Sequence, residues 1–154
     1  MRKRSKYRPK PVLVNPLGYV LESMQTVASH GQYLIDLRIK NHMAMIELTQ
    51  GRATRATMDS LISSLNMTEA LYRLGLGTDY RQELDDGLRS LHAVASRGAT
   101  TGKFILRSEE MKALNTAMEL HDAQLEIAVV KDIEKAIAIV ENERRTKKMV
   151  PINK

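Results

Sequence analysis

Glu69, His121 and Asn115 are the side chains of this sequence whose positions favour chemistry in a protein core. Glu69 lies four residues after Leu65, and His121 lies three residues after Met118, so each shares a helix face with apolar neighbours. A carboxylate on such a face needs a partner or a raised pKa, and His121 or Asn115 is placed to supply that partner. We therefore predict a structural polar network of Glu69, His121 and Asn115, and we prefer this interpretation to acid–base catalysis.

The histidines do not follow a metal-binding pattern. The chain has no cysteine and no His-Glu-x-x-His motif, and no two of its four histidines lie three or four residues apart. A zinc or di-iron site would have to be assembled across several helices. We therefore predict no metal and no other cofactor. The histidines are His30, His42, His92 and His121.

A glycine-rich segment at residues 98–103 resembles a phosphate-binding loop only in composition. The phosphate-binding motif has four residues between its glycines and a Ser or Thr after its lysine. Here three residues separate Gly98 from Gly102, and Phe104 follows Lys103. We predict a flexible loop at this position. Because the sequence also contains no recognisable nucleophile–base pair, we predict that the protein is not an enzyme.

The positive charge of the chain is concentrated at its two ends. The sequence has 24 Lys and Arg and 18 Asp and Glu, a formal net charge of +6. Residues 11–143 contain 13 of the basic residues and all 18 acidic ones, a net charge of −5. Basic runs of this kind are typical of interaction arms, most often for nucleic acid. The residues predicted to contact phosphates are Arg2, Lys3, Arg4, Lys6, Arg8, Lys10, Arg144, Arg145, Lys147 and Lys148.

The apolar spacing predicts an all-α fold, a single bundle of five to six helices. The bundle is expected at residues 15–148, after a basic extended arm at 1–14 and before a basic C-terminal tail at 149–154. Asn15 and Pro16 supply a helix cap and a first-turn proline for the first helix. Short loops between the helices indicate that sequential helices are neighbours in the bundle.

Local signals also predict the helix boundaries. Thr54 or Thr57 is expected to cap the third helix, and a fourth helix is expected from about Thr78 to a stop at Gly98. Ser108, with two glutamates directly after it, is expected to begin the fifth helix.

Two stretches allow alternatives. Residues 33–39 alternate between apolar and charged side chains like a strand, but residues 32–50 contain neither Gly nor Pro, so we predict a helix with a short strand as the alternative. Residues 108–149 also lack Gly and Pro, and a helix of roughly forty residues is unusual in a small domain. We therefore predict a kink or break near residues 128–131.

Composition restricts the class of protein. No apolar run approaches the roughly 18 residues of a membrane span, and no hydrophobic segment of a signal peptide follows the basic start. We therefore expect no membrane partner. The absence of cysteine suits a reducing cytoplasm, the expected location. Five Tyr, one Phe and no Trp disfavour a base-stacking platform for single strands.

Three segments resemble a family of small proteins from tailed bacteriophages and prophages. They are Lys-Tyr-Arg-Pro-Lys-Pro-Val at residues 6–12, Ile-Lys-Asn-His at residues 39–42 and Met-Glu-Leu-His-Asp-Ala-Gln at residues 118–124. The likeness extends over nearly the whole chain and brings no catalytic motif with it. The resemblance implies expression in the cytoplasm of a bacterial host, where small phage proteins without enzyme signatures are often nucleic-acid binders, regulators or inhibitors of host machinery.

We therefore expect a phage-encoded nucleic-acid-binding or regulatory protein. Its basic ends would contact the phosphates of DNA or RNA with low sequence specificity, because phosphate contacts carry no base information. The alternative is an inhibitor that binds a host protein complex, for example a defence complex, through its acidic helical surface. The sequence leaves open the choice between DNA and RNA and the oligomeric state, including a homo-oligomer.

Overall fold

The computed structural model describes residues 16–146, and these residues fold into a bundle of six α-helices. Short 3₁₀ turns at Val27–His30 and Thr78–Tyr80 precede the second and fourth helices. The basic arm, Asn15 and the C-terminal tail lie outside the described residues. The helices are α1 Pro16–Ser23, α2 Gly31–Thr49, α3 Arg55–Arg73, α4 Arg81–Thr101, α5 Ser108–Ile127 and α6 Val130–Arg145.

Helix α3 is the centre of the bundle, since it packs against α2, α4, α5 and α6. The apolar core divides into two clusters that share α2, α3 and α5. One cluster is completed by α4 and includes Leu61, Val94 and Leu114, and the other is completed by α6 and includes Leu71 and Ala136. The predicted all-helical bundle is therefore confirmed for the described part of the chain.

The helical interpretation of residues 32–50 is confirmed, and the strand alternative at 33–39 is wrong. Along α2, Leu34, Ala44 and Leu48 face the core. Ile35 and Ile39 instead lie on the exposed side of the helix. The strand-like alternation arose because α2 carries apolar residues on its solvent side as well as on its buried side.

Hydrogen bonds between Thr54 and Thr57 fix the start of α3. The backbone N–H of Thr57 donates to the Thr54 side chain at 3.3 Å, and the N–H of Thr54 donates to the Thr57 hydroxyl at 3.1 Å. This reciprocal pair is a capping box, which satisfies two backbone donors at the end of a helix. Thr54 is therefore the cap, and Thr57 completes the box.

The predicted stop of α4 at Gly98 is wrong. The helix continues to Thr101 and ends at Gly102, which adopts the left-handed conformation (φ 74°) that terminates many helices. Gly98 serves packing instead, because a Cβ at this position would overlap the ring of Phe104. The loop predicted at residues 98–103 is therefore shorter, because residues 98–101 belong to the last turn of α4.

The predicted break near residues 128–131 is confirmed. Ala128 and Val129 are extended between α5 and α6. The backbone around Thr26 pairs with them, since Val27 N–H donates to Ala128 O and Val130 N–H donates to Gln25 O, each at 2.9 Å. This antiparallel bridge gives the interrupted backbone groups partners that a continuous helix would not need.

Candidate functional site

A cluster of buried polar side chains joins α3 to α5. Its members are Thr68, His121 and Gln124, and each is at most 1% exposed. The Thr68 hydroxyl donates to Ser64 O at 3.0 Å, and the same oxygen lies 2.9 Å from His121 Nδ1. Because the hydroxyl has a single proton and gives it to Ser64 O, Nδ1–H of the imidazole donates to Thr68. His121 Nε2 is therefore the unprotonated nitrogen of the ring.

Burial keeps His121 neutral. Removal of the ring from water lowers its pKa from 6.5 to about 4, an effect that the nearby carboxylate of Asp122 opposes and that Arg38 and His42 reinforce. Nε2 has no hydrogen-bond partner among the described residues. The ring therefore presents a free acceptor in the protein interior.

Gln124 connects this cluster to the α3–α4 connection. Its Nε2 donates to Thr68 O at 3.2 Å and to Leu76 O at 2.9 Å. Gly77 follows with φ 76°, and a Cβ at Gly77 would approach Leu120 and Gln124. A glycine is therefore required beside the amide, both for its conformation and for the close contact.

The predicted network of Glu69, His121 and Asn115 does not form. His121 is buried as predicted, but its partner is Thr68, and Asn115 is exposed. Glu69 lies at the edge of the bundle, where it accepts from Arg73 Nε at 3.2 Å and from Arg81 Nη1 at 2.9 Å. Glu69 directly follows Thr68 in α3, so its side chain lies about 100° around the helix axis from that of Thr68 and faces away from the core.

The acidic face of α5 is partly neutralised. Arg38 of α2 donates to Glu126 at 2.6 Å, and the Nε2–H of His42 donates to Asp122 at 2.7 Å. Glu119 is exposed on the same helix. The negative charge of this face is therefore reduced by its neighbour α2.

Neither a phosphate-binding loop nor a metal centre is formed within the described residues. The Thr101 hydroxyl donates to Arg97 O and accepts from the backbone N–H of Lys103, so these polar groups of the turn are hydrogen-bonded to one another. Among residues 16–146, no three His, Asp or Glu side chains are grouped as ligands for a metal ion. No helix in this range combines the length and apolar character needed to cross a bilayer.

The basic end of α6 is the part of the predicted phosphate-contacting set that the structure describes. Arg144 and Arg145 are exposed in the last turn, where cations are favoured by the helix dipole. Arg145 Nη2 donates to Asn142 Oδ1 at 3.0 Å, and neither arginine forms an ion pair with a described residue. The other predicted contacts lie outside the described residues: Arg2, Lys3, Arg4, Lys6, Arg8, Lys10, Lys147 and Lys148.

Helix α1 packs antiparallel on α6. Val27 lies beside Ala128, and further back along the chain the Tyr19 hydroxyl donates to Glu134 at 3.0 Å. Pro16 is three residues before Tyr19, and Arg144 is ten residues after Glu134. At 1.5 Å per helical residue, the start of α1 lies about 10 Å short of Arg144 along the helix axis. The first described residue and the basic end of α6 are therefore on the same side of the bundle.

Helices α1 and α2 carry many exposed apolar side chains. On α1, the exposed residues Leu17, Val20 and Leu21 share one face at helical spacing, and exposed Met24 follows directly after the helix. Surfaces of this kind on small proteins mark contact with other molecules. The exposed large apolar residues of α1, of α2 and of the turn after α1 are Leu17, Tyr19, Val20, Leu21, Met24, Tyr33, Ile35, Leu37, Ile39, Met43 and Ile46.

The sequence prediction missed Thr68, Gln124 and Asn41 as buried polar residues. A signal for two of them was present, since Thr68 lies three residues after Leu65 on the apolar stripe of α3 and Gln124 lies three residues after His121.

Comparisons with protein-family models, with characterised proteins and with solved structures find no match to this chain.

Proposed function

We propose that the chain is a small phage-encoded nucleic-acid-binding or regulatory protein that contacts phosphates through its basic ends. The observation that supports this proposal most is the antiparallel packing of α1 on α6. Because Tyr19 lies against Glu134, the first described residue, Pro16, lies on the side of the bundle where Arg144 and Arg145 end α6. Both basic segments are then available to one polyanion.

The charge of the bundle favours the same arrangement. Nine of the 24 Lys and Arg residues lie outside residues 16–146, which leaves 15 basic and 18 acidic side chains there and a net charge of −3. A polyanion is repelled by this body and attracted by the ends. Contacts to phosphates release counterions and do not read bases, so binding is expected to depend on salt and hardly on sequence.

The test measures the affinity of the wild type and of two variants for duplex and single-stranded nucleic acid as a function of salt concentration. Deletion of residues 2–10 should weaken binding to every sequence alike and should make the slope of log affinity against log salt shallower, by up to about 0.9 on B-DNA for each phosphate that the arm no longer neutralises. Arg144→Gln with Arg145→Gln should have a smaller effect of the same kind, since two charges are removed instead of six. Parallel measurements with DNA and RNA identify the nucleic acid.

The matched control replaces two exposed cations elsewhere, Lys103→Gln with Lys112→Gln. It removes the same charge as the α6 variant, so it should leave the salt slope closer to that of the wild type. Equal effects of both double variants would mean that net charge alone governs binding. Absence of salt-dependent binding by the intact protein at low ionic strength would refute the proposal.

The second candidate is binding to a host protein, for example a defence complex. The exposed apolar face of α1 favours a protein partner, whereas the acidic surface of α5 is partly neutralised by Arg38. A photo-crosslinking residue at Leu21, introduced in host cells, should give one discrete adduct, and the same residue at exposed Glu119 should not. Equal labelling at both positions would contradict this candidate.

A further inference from the structure

A mostly apolar groove of about 340 Å³ lies between α3 and α4, and we call it the α3–α4 groove. Its floor consists of Leu65, Leu91 and Ala95, which are buried, and its walls carry Ile62 and Leu88, which are half-buried. Aliphatic side chains in an open groove are stabilised by any apolar segment that removes them from water. The groove is therefore a surface that a short apolar segment could cover.

Helix α6 ends beside this groove. The face of α6 that packs on α3 carries Ala136, Val140 and Glu143 at helical spacing, and Glu143 lines the groove. Glu143 accepts a hydrogen bond from Arg73 Nη1 of α3. Arg73 and Ile62 lie eleven residues apart on α3, at opposite ends of the groove. The last turns of α6 therefore reach one end of the groove, and the chain leaves α6 next to its uncovered part.

The sequence that follows α6 suits such a groove. Residues 147–154 are Lys-Lys-Met-Val-Pro-Ile-Asn-Lys, so an apolar tetrapeptide, Met149 to Ile152, begins three residues after Thr146. Pro151 disfavours a helical conformation for Val150, so we expect the tetrapeptide to be extended and not to continue α6. Side chains alternate along an extended chain, so Val150 and Ile152 share one side of it.

The tetrapeptide is also within reach of the groove. Thr146 lies three residues after Glu143, about 4.5 Å further along the helix axis. At about 3.3 Å per extended residue, Val150 can lie up to about 13 Å from Thr146. The α3 wall between Glu69 and Ile62 is seven residues long, about 10 Å. The segment after α6 can therefore follow the whole wall.

We propose that residues 149–152 dock into the α3–α4 groove of their own chain, with Val150 and Ile152 on its aliphatic floor. Asn66 lines the same groove, and its side chain forms no hydrogen bond with another described residue, so its amide is available to the backbone of an extended segment. Docking holds Lys147 and Lys148 beside the basic end of α6. This contact within the chain goes beyond the proposed binding of phosphates and does not depend on it.

The experiment uses the full chain without nucleic acid, so its outcome is separate from that of the salt-dependence test. The sequence has no cysteine, so Asn153→Cys gives a single site for a nitroxide spin label directly after the tetrapeptide. The label broadens the methyl resonances of nearby Ile and Leu side chains. Ile62 and Leu88 should be broadened, whereas Ile39 should not, because it is exposed on α2, which packs on α3 and α5.

Two tail variants of the labelled chain identify the cause of the broadening. Val150→Ser with Ile152→Ser should reduce the ratio of docked to free tail at least about tenfold, since each aliphatic side chain that is no longer buried has about this effect. The broadening of Ile62 and Leu88 should then be largely lost. Lys147→Ser with Lys148→Ser is the matched control and should preserve it, because these side chains do not enter the groove.

Three results would overturn the proposal. The first is broadening of Ile62 and Leu88 that does not exceed that of Ile39. The second is broadening that persists when Val150 and Ile152 are replaced by serine, which would mean that the tail lies near the groove without docking in it. The third is broadening in a mixture of isotope-labelled chains without nitroxide and unlabelled chains with it, which would identify the occupant as the tail of a second copy.

Discussion

Acidification should destabilise this protein through His121, and the size of the effect follows from the burial of the ring. The pKa of His121 is lowered from 6.5 to about 4 in the folded protein. The unfolded chain therefore binds this proton more tightly than the folded chain. The stabilisation is fully present above about pH 6.5 and is lost as the pH falls toward 4. At 1.36 kcal/mol per pKa unit, the loss over this window is about 3 kcal/mol.

Urea unfolding at a series of pH values measures this loss. His121→Gln removes the titrating group and keeps a donor in reach of Thr68, so its free energy of unfolding should be lower at neutral pH and nearly flat between about pH 4.5 and 6.5. His92→Gln is the matched control, because His92 is exposed on α4, and its profile should follow that of the wild type.

Glu110 does not obscure the window. The Arg97 guanidinium lowers the pKa of Glu110, so the stabilisation from this group is lost only as the pH falls below the ordinary carboxyl range. If His121→Gln and the wild type lose stability in parallel over this range, the ring is not the group responsible, and the deduced protonation of its nitrogens is wrong.

Three further changes test the packing and the ion pairs by urea unfolding. Gly98→Ala should lower the free energy of unfolding by about 2 kcal/mol, because the new Cβ would overlap Phe104. Arg97→Ala should lower it by about 2 kcal/mol at neutral pH, since it leaves the largely buried Glu110 without its cation, and the loss should shrink in acid as Glu110 is protonated. Glu69→Ala should lower it by only about 1 kcal/mol, because both arginines that it contacts are nearly half exposed.

Matched controls isolate each cause. Gly31→Ala changes a helical glycine with nothing within 4 Å of the new Cβ, so it should be neutral or stabilising by up to about 1 kcal/mol. Arg89→Ala removes an exposed ion pair and should change stability by less than about 1 kcal/mol. If Gly98→Ala were neutral or stabilising like Gly31→Ala, helix propensity, and not the contact with Phe104, would set the effect.

Features that depend on neighbours in sequence were predictable. The cap at Thr54, the start of α5 at Ser108 and the break after Ile127 rest on short-range hydrogen bonds or on a limit to helix length. The error at Gly98 has a different origin. A glycine that ends a helix and a glycine that admits a neighbouring side chain look alike in a sequence, and only the position of Phe104 distinguishes them.

The error at Glu69 shows what the sequence lacks most. Thr68 and Glu69 are adjacent, and a rotation of one residue about α3 decides which of them meets His121. Thr68 can be buried at little cost because its hydroxyl gives its proton to Ser64 and still accepts from the imidazole. A buried Glu69 would need a buried cation beside it. The two cations that it contacts, Arg73 and Arg81, are instead partly solvated at the edge of the bundle. The free-energy cost of burying each side chain therefore decides whether Thr68 or Glu69 faces His121. The spacing of apolar residues in the sequence does not contain this cost.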